Sequence, residues 1–136
     1  MVRTPSSAWR VRFRWPLAIF MVGVGALHFL SPEFFVRIVP DYLPAHALLV
    51  QVSGVFEVAG GVGILVPRVR RAASLGLVAL YVAVFPANVN MVLHPELGGS
   101  VPAWALWARL PLQGVLIAWA VWAGRDTRPP SGDRAG

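Results

Sequence analysis

Cysteine and lysine are both missing from this chain of 136 residues, and acidic side chains number only six. Without cysteine there is no thiol–disulfide mechanism, no cysteine-ligated iron–sulfur or zinc site, and no disulfide framework. Charge as a whole is thin: 13% of the residues are charged, against about 25% in ordinary soluble domains. What fills the chain instead is apolar. Hydrophobic residues make up 57% and the mean hydropathy is +0.64, which points to an integral membrane protein. The length suits about four spans of ~20 residues with short connections, and leaves no room for a separate soluble domain.

The net charge of +6 and a pI near 11.5 would also fit a nucleic-acid binder. The arginines argue otherwise, because they do not spread along one polar face. They fall into three clusters: Arg3, Arg10, Arg12 and Arg14; Arg68, Arg70 and Arg71; Arg125, Arg128 and Arg134. Each cluster flanks an apolar run, as cytoplasmic anchors of a membrane protein do. The absence of lysine is read as codon bias toward arginine rather than as chemistry. The expected partner is the lipid bilayer, with no nucleic acid.

Four apolar segments stand out, at about 13–30, 45–66, 72–93 and 102–123. Each approximates the ~20 residues a helix needs to cross the hydrocarbon core. Strands are excluded, since the runs are too long and lack period-2 alternation. A cleaved signal peptide over the first segment is disfavoured, because three more spans follow it. The fold class expected is all-α: an integral membrane, up-and-down four-helix transmembrane bundle forming one domain over 1–124, with a disordered cytoplasmic tail over 125–136. The connection at 31–44 carries only Arg37 against Glu33 and Asp41, and the one at 94–101 carries no arginine. The positive-inside rule therefore puts both termini and the 67–71 turn on the cytoplasmic side of the membrane.

The connection SPEFFVRIVPDYLP is more than a loop. Ser31-Pro32-Glu33 reads as an N-cap, a first-turn proline and an acid favoured by the helix dipole. Phe34, Phe35 and Ile38 recur at helical spacing, so a short amphipathic helix is expected at the outer interface, as a packed cap over the bundle. Leu30-Ser-Pro-Glu33 and Leu93-His-Pro-Glu96 both close an odd-numbered span. Four residues are too few to assert a duplicated hairpin.

Polar residues inside the spans are the candidate site. Ser53 and Glu57 are four apart and share a face, as do Arg109 and Gln113. The third span contributes Asn88 and Asn90, with Tyr81, Phe85 and Asn88 aligned; the first contributes His28, one turn beyond Gly25. Ionised groups in hydrocarbon cost on the order of 3 kcal/mol each on insertion scales, and persist when they face the interior and pair. With one acid and one base inside the spans, the obvious partner for Glu57 is Arg109. At ~1.5 Å rise per residue, Arg109 lies roughly 6 Å outward of its span's centre, and Gln113 lies closer in level to Glu57 and could bridge the two. Pro86 and Pro111 each open their helix locally, and Asn88 and Gln113 are placed to satisfy the freed carbonyls.

Two readings of the Glu57–Arg109 pair stand side by side: a structural ion pair that locks the bundle, and a proton or headgroup site. Asn88, Asn90 and Gln113 are expected to hydrogen-bond between helices, and Gly54, Gly60 and Gly61 to permit close packing. His28 is expected to be a hydrogen-bonded interior histidine rather than a metal or haem ligand. Five of the six tryptophans, Trp9, Trp15, Trp104, Trp119 and Trp122, fall near span ends as belt residues.

Taken in order, GALHFLSPEFF, IVPDYLP, VSGVFEVAGGVGILVP, FPANVNMVLH and RLPLQ resemble the DoxX-like family of small four-helix prokaryotic membrane proteins. The resemblance runs from about Gly25 to Trp122. It implies Glu57, Asn88, Arg109 and Gln113 as signature polar positions, with His28 in the first-span motif. It also implies an accessory or quinone-associated subunit of a membrane oxidoreductase, with a quinone as the one cofactor to consider and no metal. The alternatives are a small-molecule or lipid carrier gated by Glu57 and Arg109, and a purely structural membrane partner.

Overall fold

The structure, a computed structural model, describes residues 5–125. It contains five α-helices: α1 (Pro5–Leu30), α2 (Pro32–Ile38), α3 (His46–Leu65), α4 (Arg70–Leu93) and α5 (Ala103–Ala123), with a 3-10 turn over Pro95–Gly98. No strand occurs among the described residues. The four long helices are long and apolar enough to cross a membrane, and the chain is a multi-pass membrane protein. Helices are forced on such segments because hydrocarbon offers backbone amides and carbonyls no partner outside the segment itself.

The helices outrun the apolar segments mainly at the N-terminus, where α1 begins at Pro5 rather than near residue 13. Apolarity marks the part that lies in hydrocarbon, while the backbone ladder continues through the basic turn beyond it. The expected disordered tail lies outside the described residues except for Arg125. That residue is anchored: its carbonyl accepts a hydrogen bond from Arg14 Nη2 at 2.8 Å.

In space α1 packs along α3, α3 against α4, and α4 against α5. The α1–α3 seam is set by small residues. A Cβ at Gly54 would stand 2.8 Å from His28 Cβ and 3.1 Å from the Gly25 carbonyl, and one at Gly61 would stand 3.0 Å from the Ala18 carbonyl. Gly60 faces Leu77 of α4 instead, and Gly63 faces Ala73. Glycines on two sides of α3 thus hold it close to both neighbours, as expected of helix packing in lipid.

The end of the bundle that carries the arginines is closed. Leu17, Met21, Ile64, Leu77, Tyr81, Ala120 and Ala123 form a core drawn from all four long helices. Arg14 Nε donates to the Ala123 carbonyl at 2.8 Å, and Arg70 donates to the Ile64 and Leu65 carbonyls at 2.8 and 3.3 Å. These two arginines are therefore buried caps on the C-termini of α5 and α3, as well as part of the basic clusters. Trp119 Nε1 donates to the Phe13 carbonyl at 3.1 Å and further ties α5 to α1.

The opposite end is roofed by α2, which packs on α3, α1, α4 and the 3-10 turn. Ile38, Met91, Val92 and Leu106 form a second small core beneath it, and Asn90 Nδ2 donates to the Ile38 carbonyl at 3.1 Å. The expected cap over the bundle is present. Ser31 sits at the N-cap position of α2, but its hydroxyl makes no capping hydrogen bond. With one residue between the helices, its backbone is fixed by α1, through Ser31 N to the Leu27 carbonyl at 2.9 Å. The LSPE and LHPE tetrads open α2 and the 3-10 turn respectively, so each closes one of the two helix pairs, α1/α3 and α4/α5.

Candidate functional site

Between the arginine-bearing end and the roof, the two helix pairs enclose a cavity of about 1200 Å³. Its lining is mostly apolar, with Phe34 and Phe35 of α2 above and Tyr81 of α4 inside. Half-exposed lining residues mark where it opens sideways: Phe20, Leu27 and Leu112 at the α1–α5 gap, Leu49, Val52 and Phe56 at the α3–α4 gap. These openings lie between helices that are long and apolar enough to cross a membrane.

All five candidate residues, His28, Glu57, Asn88, Arg109 and Gln113, line this one cavity. The pairing differs from expectation. Glu57 lies 3.2 Å from His28 Nδ1, and no ion pair joins it to Arg109 among the described residues. The reason is azimuth: the glycine seam brings α1 against the Glu57 face of α3, whereas α3 and α5 do not pack on one another. Gln113 likewise does not bridge Glu57 and Arg109. It belongs to the α4–α5 contact, where its amide donates to the Tyr81 carbonyl and its oxygen accepts from Asn88 Nδ2 at 2.7 Å. The carbonyl it serves, that of Tyr81, lies five residues before Pro86, next to the Val82 carbonyl whose helical donor this proline removes. The expected service to a proline-freed carbonyl is thus not seen among the described residues: Gln113 ties α5 to α4 at Tyr81, and Asn88 orients Gln113.

His28 is buried and hydrogen-bonded, as expected. Its Nδ1 donates to the Val24 carbonyl at 2.9 Å, and its ring stacks on Phe35 with centroids 3.8 Å apart. That single N–H is spent on the carbonyl. Glu57 Oε2 lies beside the nitrogen but off its hydrogen-bonding direction, so the contact is electrostatic. The oxygen is fully buried and receives no hydrogen bond among the described residues. Across the cavity, half-buried Arg109 makes neither a hydrogen bond nor an ion pair among the described residues. The cavity therefore carries an acceptor short of a donor on α3 and a donor group short of acceptors on α5. Both are costly arrangements in a medium of low dielectric unless something completes them.

Tyr81 was legible only as part of an aligned face. It is buried, its hydroxyl donates to Met21 Sδ at 2.6 Å, and it joins α4 to α1 beside the cavity. His94 and Glu96 approach to 3.3 Å on the exposed 3-10 turn, a surface pair of small energetic weight.

The fold and the cavity define a small multi-pass helical membrane protein with an internal site, holding several polar side chains, that opens between its long helices. The chain belongs to the family described as a domain of unknown function, DUF8561, which matches residues 17–124 and so takes in every residue of the cavity named here. No curated protein and no solved structure matches the chain.

Proposed function

We propose that this protein is a membrane-embedded binding subunit for a lipid-soluble quinone, serving as an accessory component of a membrane redox system. The observation that carries the reading is the cavity of about 1200 Å³, mostly apolar, open between the long helices and holding a guanidinium with unused donors. A quinone has the matching parts: carbonyl acceptors for Arg109, a flat ring for the Phe35–His28 stack, and an isoprenoid tail that would leave through a lateral gap. Bound there, the quinone supplies the electron-carrying chemistry. The protein's residues position its head and exclude water. The DoxX-like motifs favour the same reading over a generic lipid carrier. A carrier gated by a Glu57–Arg109 ion pair has less support, since that pair is not formed among the described residues.

The positive-inside rule further favours the arginine-bearing end and both termini in the cytoplasm with the α2 roof outside, and the DoxX-like resemblance favours the inner membrane of a prokaryote. The binding test is direct. Protein purified in detergent is extracted with hexane and the extract analysed for quinone, beside Arg109→Gln prepared identically. The reading expects quinone enriched over the detergent-solubilised membrane background and depleted in the variant. No enrichment, together with no response of tryptophan fluorescence to an added short-chain benzoquinone, refutes it.

A further inference from the structure

We infer that the cavity selects the reduced form of its ligand: a para-quinol, an aromatic ring with hydroxyls at opposite ends, in preference to the quinone. The inference rests on the quinone reading above and adds the redox form. It follows from which hydrogen-bond capacities are unspent. Glu57 is 7% exposed, and its Oε2 has no donor because the nearest one, His28 Nδ1–H, points at the Val24 carbonyl. A quinone presents acceptors only and would leave that carboxyl oxygen unsatisfied. A quinol offers an O–H to Glu57 at one end of the ring. Its second oxygen accepts from Arg109 at the other. Placed between helices that do not pack on each other, α3 and α5, one ring would complete both groups and remain neutral overall. The stacked His28 and Phe35 rings, both in the lining, offer the planar surface an aromatic head requires.

The test compares a short-chain benzoquinol, held reduced under anaerobic conditions, with the corresponding quinone by fluorescence titration of the detergent-purified full chain. One completed buried hydrogen bond to a charged group corresponds to about tenfold tighter quinol binding. By linkage, about tenfold preference raises the midpoint potential of the bound couple by about 30 mV over the free couple, a second readout by spectroelectrochemistry. Glu57→Leu removes the acceptor and is expected to abolish the difference between the two affinities. Glu57→Gln, whose amide can accept from a quinol hydroxyl and can equally donate to a quinone carbonyl, is expected to bind both forms with a reduced preference, which separates loss of the carboxylate acceptor from loss of the fold. Equal affinities, or tighter quinone binding, overturn the quinol assignment and leave the quinone reading standing. Binding of neither form overturns both. Tighter binding of oleate than of the quinol means that Arg109 reads an anion, and the assignment falls.

Discussion

Substitution of Gly54 by alanine isolates what the α1–α3 seam demands. The added methyl would stand 2.8 Å from His28 Cβ, 2.9 Å from Phe29 Cε2 and 3.1 Å from the Gly25 carbonyl. Carbon–carbon contacts are comfortable at about 3.5–4.0 Å, so α1 and α3 must part by several tenths of an ångström. The Phe29 ring can rotate away; a backbone carbonyl and a Cβ cannot. Overpacking of this kind costs about 1–3 kcal/mol. Alanine also gains about 1 kcal/mol of helix propensity over glycine, which hides part of the cost. Gly23→Ala supplies the correction, because a Cβ at Gly23 on α1 meets nothing within 4 Å. Propensity enters both variants and cancels in their difference, so Gly54→Ala should be less stable than Gly23→Ala by about 1–3 kcal/mol. Reversible unfolding in bicelles or mixed detergent, followed by far-UV circular dichroism, measures that difference. Equal stabilities would mean that the seam yields without cost, and the account of why His28 rather than Arg109 meets Glu57 would lose its foundation.

Three further outcomes follow from named contacts. Asn88→Leu and Gln113→Leu, combined in a double-mutant cycle, should couple by about 0.5–1.5 kcal/mol, as interhelical hydrogen bonds in membranes do; additive effects would refute the Asn88–Gln113 hydrogen bond. Arg70→Met removes two donors from the α3 C-terminus and should cost about 1–3 kcal/mol in the same unfolding assay, whereas Arg71→Met, on an exposed position, should change stability by less than about 0.5 kcal/mol. Ala45 adopts φ +52° at the start of α3, a left-handed conformation that disfavours a Cβ, so Ala45→Gly should raise the melting midpoint with a gain of up to about 1 kcal/mol; a fall in the midpoint would refute strain there.

The set of interior polar residues is legible in the sequence: His28, Glu57, Asn88, Arg109 and Gln113 all line one cavity. The roof helix is legible too, from a proline followed by an acid and apolar residues at helical spacing. Azimuth is not. Whether Glu57 meets α1 or α5 depends on which neighbours α3 can approach closely, and that depends on where several glycines point together. The buried arginines show the same limit. Arg14 and Arg70 read as members of basic clusters like their neighbours. Only the convergence of chain ends reveals that each reaches back to helix carbonyls.

By itself the sequence determined the number of spans, the all-helical backbone, and the grouping of the arginines at one end. These follow from one-dimensional facts: hydrocarbon thickness fixes span length, and the lack of external hydrogen-bond partners in lipid forces each segment to satisfy its own backbone. The tertiary structure decided the partners. It set Glu57 beside His28, gave Gln113 to Asn88 and Tyr81, and left Arg109 facing a cavity rather than a carboxylate. Pairing depends on helix rotation and neighbour order, which glycine contacts on two faces of α3 fix in three dimensions and no run of residues states alone.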